Sequence, residues 1–190
     1  MHNPKTKTDA EIVKLAIQND QYFGILIERY EKKMFAYISR LAVLNKETIE
    51  DLLQEVFIKV YQNLNDFDEQ FSLSSWIYRI THNVVISHLR NVKRTPIVKS
   101  MNDEDFNKNF IDLLPSDVDI PKEIARKEVG KRVHRSLLEL PEKYREVLVL
   151  YYLEDKSYKE ISDILERSIG SVSVLINRAK LKFKAILCQN

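Results

Sequence analysis

Residues 158–187, YKEISDILERSIGSVSVLINRAKLKFKAIL, decide how the chain is read. Ile161, Ile164 and Leu165 place apolar side chains on one face of a short helix starting near Tyr158. A polar break follows at Glu166–Arg167–Ser168, and the Ser168 hydroxyl is placed to cap a second helix by accepting an orphan N–H of its first turn. In that helix Val172, Leu175, Ile176 and Ala179 recur at helical spacing, and Phe183, Ile186 and Leu187 extend the stripe. Two short helices, a tight turn and a basic second helix describe a helix-turn-helix, whose second helix fits the major groove of DNA. An ordinary helical hairpin with a solvated face shows the same periodicity, so charge has to decide. From Arg167 to Leu187 there are five basic residues (Arg167, Arg178, Lys180, Lys182, Lys184) and no acidic one. A stripe of unmixed sign points to a polyanionic partner.

Working outward, the rest of the chain is also helical in pattern. With three Gly and five Pro in 190 residues, tight-turn β architectures are disfavoured, and the expected fold is all-α. Thr8 or Asp9 caps a first helix running to Asn19. Phe23, Ile27, Tyr30, Met34, Tyr37 or Ile38, and Leu41 trace a second, and Thr48, Leu52, Val56, Val60 and Leu64 a third after a break at Asn45. A polar loop with an aromatic, Asn65–Gln70, leads to a helix opened by Ser74 or Ser75, with Ile77, Ile80 and Val84 inward, that ends near Lys93. Helix resumes near Lys122 and runs to Leu138, Pro141 takes a first-turn position, and the helix after it contains Val147, Leu148, Leu150 and Tyr151.

Charge divides the chain. Residues 1–94 carry 13 basic and 12 acidic side chains, residues 95–121 carry 2 and 6, and residues 122–190 carry 15 and 10. The middle segment, TPIVKSMNDEDFNKNFIDLLPSDVDIP, holds three prolines and no sustained period, so two small helical domains, 1–94 and 122–190, joined by a flexible acidic linker, 95–121, are expected. Cys188 is the only cysteine, which excludes a disulfide framework or a thiolate metal site within one chain and suits a reducing cytoplasm. The N-terminus lacks the apolar core of a signal peptide, and no run reaches membrane-spanning length, so no membrane insertion is expected. His82 and His88 stand six apart, a poor helical metal spacing. There is no phosphate-binding Gly loop and no nucleophile–base pairing, so neither an enzyme, a metal nor a cofactor is expected.

Two further segments carry surface chemistry. In ETIEDLLQEVFIKVYQNL (47–64), Asp51, Gln54, Glu55 and Lys59 share the face left free when Leu52, Val56 and Val60 point inward; such mixed faces are usually only solvated. In FSLSSWIYRITHNVVISHLRNVKR (71–94), one helix combines Trp76, Tyr78, Arg79, His82, Asn83, His88 and Arg90 and ends in Lys93–Arg94. Aromatics stack on exposed bases, amides and Arg read base edges, and a basic end holds phosphate. Trp76 and Tyr78 suit core anchors equally well, and for Trp76 the core role is the expected one.

Taken together, DLLQEVFIKVY, then SSWIYRITHNVVISHLR, then ELPEKYREVLVLYYLEDKSYKEISDIL and IGSVSVLINRA resemble bacterial RNA polymerase sigma factors. The class is the short, two-domain, extracytoplasmic-function (ECF) type of the sigma-70 family. The resemblance covers roughly residues 23–94 and 123–187. It implies an alternative sigma factor, cytoplasmic and without enzymatic activity, that directs core RNA polymerase to promoters and helps open them. It implies polymerase contact through Asp51, Gln54, Glu55 and Lys59. It implies minus-ten DNA contact through Phe67 in the base-capturing loop Asn65–Phe71, and through Arg79, Asn83, Arg90, Lys93 and Arg94. It implies minus-thirty-five contact through Arg167, Ser168, Ser171, Ser173, Asn177, Arg178 and Lys180. The linker resembles the segment that threads toward the active site and RNA exit path, and members of the class are often held by a membrane-linked anti-sigma protein. The chain departs from the family at Glu166, where Gly is usual, at Ser173 and Leu175, where Lys and Arg are frequent, and at Ser87, where Asp often stands. A left-handed Glu166 would cost about 1 kcal/mol. The residues alone also suit a self-sufficient dimeric helix-turn-helix regulator or a helical protein-binding adaptor.

Overall fold

The computed structural model of the chain describes residues 7–94, 129–130 and 132–189. The expected linker 95–121 and the helix start near Lys122 lie outside the described residues, among which every regular element is helical.

Helix α1, Asp9–Gln18, is capped by Thr8: its hydroxyl accepts from the Glu11 N–H, and the Glu11 carboxylate accepts from the Thr8 N–H at 2.8 Å. Such caps contribute about 1 kcal/mol. Asp9, the other expected cap, instead accepts from Arg29 and Tyr30 and ties α1 to α2, Phe23–Leu41. Along α2 the innermost position is Leu26 rather than Ile27, which is half-buried at the edge of the bundle. Asn45 caps α3, Lys46–Gln62, by accepting from the Thr48 N–H at 2.8 Å. Helix α4, Leu73–Arg94, is opened by Ser72, not by Ser74 or Ser75 as expected: the Ser72 hydroxyl accepts from the Ser75 N–H at 3.1 Å. Ser74 and Ser75 already lie in the first turn, where their N–H groups are the orphans that need a partner.

In the C-terminal half, residues 132–138 form α5 and Glu142–Leu148 form α6. Pro141 stands at the cap itself, not in the first turn, and its carbonyl accepts from Tyr144 and Arg145. The expected α-helix does not continue to Tyr151; Val149–Leu153 form a π turn, closed by the Glu154 N–H on the Val149 carbonyl at 3.1 Å. Helix α7, Tyr158–Leu165, starts on a Ser157–Glu160 capping box. Helix α8, Ile169–Gln189, starts on Ser168, whose hydroxyl accepts from the Ser171 N–H at 3.3 Å. Ile161, Val172, Ile176 and Ala179 are fully buried. Burying a Val or Ile side chain stabilises by about 1.5–3 kcal/mol, so this stripe holds α7 on α8.

The two halves pack on each other. α4 lies against α7, and α2 against α6, so the buried apolar residues form one continuous core. Among the described residues, no helix is long and apolar enough to cross a membrane.

Candidate nucleic-acid interface

On α3, burial of Ile49, Leu52, Leu53, Val56, Phe57 and Val60 turns Asp51, Gln54, Glu55 and Lys59 outward, and all four are exposed. Lys59 pairs with Glu55 at 3.4 Å across one helical turn, a half-exposed contact of small energetic weight. Gln54 borders an apolar groove between α2 and α3, floored by Phe23, Ile27, Phe57, Ile58 and Tyr61. Ile58 and Tyr61 are 55% and 44% exposed. The sequence carried this signal: Ile58 is apolar at a position where the inward stripe of α3 calls for a polar residue.

A second groove, of about 430 Å³, opens between α3 and α4. Glu55, Lys59, Asn63 and Asp66 line one wall; Arg79, Asn83 and Ser87 line the other, over Trp76, Ile80 and Val84. It joins residues that the sequence had placed on separate surfaces. Asn83 is exposed, Arg79 half-buried, and Arg90 exposed further along α4. Lys93 and Arg94 end the helix; their side chains lie outside what is described. Trp76 is a core anchor, and the half-buried Phe67 ring packs on it at 5.4 Å between centroids. The loop aromatic turned to solvent is Phe71, 40% exposed, just after a turn in which Asp68 accepts from the Gln70 N–H. Tyr78 is also a core residue. Burial pushes the His82 imidazole down to about 4, helped by Arg167 and Arg90 and opposed by Glu142, so it is neutral at pH 7. Its Nδ1 lies 3.4 Å from the Tyr37 hydroxyl.

The third surface is α8 with the turn before it. Glu166 ends α7 in the left-handed conformation, φ 52° and ψ 47°, the position where glycine is usual. Its N–H and that of Arg167 both donate to the Ser162 carbonyl. Ser168 and Ser171 hydroxyls contact each other at 2.9 Å at the N-terminus of α8. Arg167, Ser168, Ser171, Asn177 and Arg178 are exposed; Ser173 and Lys180 are half-buried. Lys180 stands over the rings of Tyr151 and Tyr152, and a hydrogen bond with Tyr152 pushes its pKa up. Val174 and Leu181, 48% and 72% exposed, share the outer face with Ser171 and Arg178. Apolar side chains there suit thymine methyl groups, a feature hidden in the sequence because both residues look like core. Among the described residues no cluster of His, Cys, Asp or Glu could hold a metal ion.

Two helical halves, one with a polar groove beside an outward-facing helix and one with a helix-turn-helix, define a sigma-type transcription factor. Comparison with known proteins agrees. Residues 26–95 match the model of sigma-70 region 2, and residues 130–183 match that of sigma-70 region 4. The ECF RNA polymerase sigma-E factor of Haemophilus influenzae is 30% identical over 175 residues, 91% of this chain and 92% of that protein. The ECF RNA polymerase sigma factor SigW of Bacillus subtilis is 29% identical over 170 residues, 88% of this chain and 90% of that protein. In fold, the chain is similar to CnrH in its complex with the cytosolic domain of CnrY: TM-score 0.68, 23% identity, covering 96% of this chain and 98% of CnrH. The chain belongs to the extracytoplasmic-function class of the sigma-70 family. It is accordingly an alternative sigma factor for transcription initiation, not an enzyme, which sets aside the dimeric regulator and the adaptor.

Proposed function

We propose that the three surfaces divide the work of initiation between residues 1–94 and 122–190. The outer face of α3, with Asp51, Gln54, Glu55 and Lys59, docks on core RNA polymerase, and the adjoining apolar groove extends that contact. The α3–α4 groove receives an unstacked minus-ten base, with Arg79 and Asn83 reading it, Phe67 supporting the loop, and Arg90, Lys93 and Arg94 holding phosphate. New stacking and hydrogen-bond partners for the base offset the cost of strand opening. Helix α8 lies in the major groove of minus-thirty-five duplex, with Arg167, Ser168, Ser171, Asn177 and Arg178 facing the DNA, while Ser173 and Lys180, on the half-buried side of the helix, support it from behind.

The observation that supports this reading best is the α3–α4 groove, which sets Arg79 and Asn83 in a concave polar site directly beside the polymerase face. The chain works in the cytoplasm, where an anti-sigma protein linked to the membrane holds it inactive. Reconstituted transcription tests the reading: core polymerase should initiate at a cognate promoter only with this chain, and Arg79→Ala or Asn83→Ala should lose the open complex. Tight binding of the free chain to a palindromic duplex, with no effect on core, would overturn it.

A further inference from the structure

The outward face of α8 carries an apolar residue that the fold does not use. Val172 and Ile176 are fully buried, and Ala179 continues their stripe. Two residues turn a helix by about 200°, so Val174, between them, points almost directly away from both. It is 48% exposed, on the side that holds Ser171 and Arg178. A β-branched residue is a poorer helix former than Ala, Gln, Lys or Arg, and its stiff side chain gains nothing from a solvated face. The helix itself therefore gives no reason for valine here.

Its position gives one. In a helix-turn-helix the residues that reach base edges come from the N-terminal part of the second helix. Here that part starts at Ser168, whose hydroxyl meets that of Ser171 at 2.9 Å, and Val174 is the sixth residue of the helix. From Ser168 to Asn177 no side chain is charged. Charge cannot select a base there, so selection falls to hydroxyls, to the Asn177 amide and to the valine methyl groups. In the major groove thymine alone presents an apolar group, its C5-methyl. An amino group set against valine would lose its water with no partner in return, whereas a methyl group loses nothing.

We propose that Val174 is a specificity-determining residue: it packs on the C5-methyl of a thymine in the minus-thirty-five duplex, about two base pairs from a guanine held by Arg178. The inference rests on the assignment of α8 to that duplex and adds the base it selects. Arg178 is exposed on the same side, one helical turn further on. Four residues advance a helix by about 6 Å, and base pairs stack about 3.4 Å apart, which gives the separation. A guanidinium reaches both guanine acceptors, O6 and N7, on one edge. Valine has a single strongly preferred rotamer in a helix, so little side-chain freedom is lost when the methyl groups meet.

The test uses the full chain with core RNA polymerase and promoter fragments randomised through the minus-thirty-five element. Bound fragments should be enriched in an A·T pair at one position and in a G·C pair about two positions away. Val174→Ala should level the A·T position and keep the G·C pair; Arg178→Ala should do the reverse. Alanine is the better helix former, so the Val174 variant keeps its fold, checked by circular dichroism at 222 nm. On the selected promoter, replacing that thymine by deoxyuridine removes only the methyl group. Affinity should fall about fourfold with the wild type, the worth of one buried methyl group, and should not change with Val174→Ala. An A·T preference that survives Val174→Ala, or a uracil penalty that is the same in both proteins, overturns the valine contact. So does a G·C preference, lost in Arg178→Ala, with no preferred A·T pair; α8 then still reads the duplex. If the wild type selects no base in the element, the assignment of α8 fails, and the valine contact with it.

Discussion

Replacing Glu166 by glycine should stabilise this protein, although it deletes a charged contact. Glu166 holds φ 52° and ψ 47° at the end of α7. An L-residue there carries about 1 kcal/mol of strain that glycine does not. What the change removes is weak: the Glu166–Arg79 pair spans 3.9 Å and the Glu166 side chain is 68% exposed, so screening leaves it less than about 0.5 kcal/mol. The net gain is about 0.5–1 kcal/mol, a rise in Tm of roughly 1–4 °C for a chain of this size. Glu166→Ala is the control. It loses the same carboxylate but keeps a Cβ in the left-handed region, so it should melt below the wild type and about 1 kcal/mol below the glycine variant. Thermal and urea unfolding followed by circular dichroism at 222 nm reads all three. If the glycine variant melts at or below the alanine variant, the strain at the turn is not where the backbone geometry puts it.

Asp51→Lys and Gln54→Ala should weaken binding to core polymerase, by up to several kcal/mol for the reversed charge, while moving stability by no more than about 0.5 kcal/mol; a large fall in Tm with unchanged core affinity would refute the assignment. Asn83→Ala should impair promoter opening more than closed-duplex binding, read as lost permanganate reactivity in the minus-ten region; an unchanged open complex would remove Asn83 from the site. Burial, with the charge of Glu142, pushes the Glu146 carboxyl up to about 7. Its protonated form is favoured in the fold, so that stability is fully present below about pH 4.5 and is lost as pH rises through 7. Glu146→Gln should therefore gain up to about 3 kcal/mol on the wild type between pH 4.5 and 8, measured from urea midpoints; a constant difference would refute the shift. The free chain should bind duplex promoter DNA weakly, at about 10⁻⁴–10⁻⁶ M, with a salt slope of roughly −3 to −4; fluorescence anisotropy should show core polymerase rescuing it, and tight binding without core would count against the division of labour.

Much of the architecture was legible because it is local. Thr8 and Ser168 could be read as caps because a cap acts within one helical turn. Val172, Ile176 and Ala179 could be read as core because helical period maps directly onto a face. The left-handed strain at Glu166 was expected only from the resemblance, since related chains usually carry glycine at that turn. Where two local solutions competed, the sequence was less decisive: Ser72 rather than its neighbours opens α4, and the π turn at Val149–Leu153 interrupts a run whose period looks unbroken.

The candidate sites were only half legible. Arg79, Asn83, Glu55 and Lys59 were each identifiable by residue type, but their meeting in one groove depends on how α3 packs on α4. Ile58 stands out as apolar off the inward stripe of α3, but Tyr61, Val174 and Leu181 look like core residues and are exposed, since which face of a helix is covered depends on its neighbours. The sequence by itself determined most of the helices and of their inward stripes, the Ser168 cap and the basic sign of the last helix, because these depend on residues three or four positions apart. Tertiary structure alone decided how the two halves meet. Glu154 reads as an ordinary surface acid in its own segment; it is buried only because Arg40, 114 positions earlier, and Tyr78, 76 positions earlier, are brought to its two oxygens. A contact over such a separation leaves no periodic trace in the chain, since the partners are chosen by how the two halves pack and not by any spacing between them.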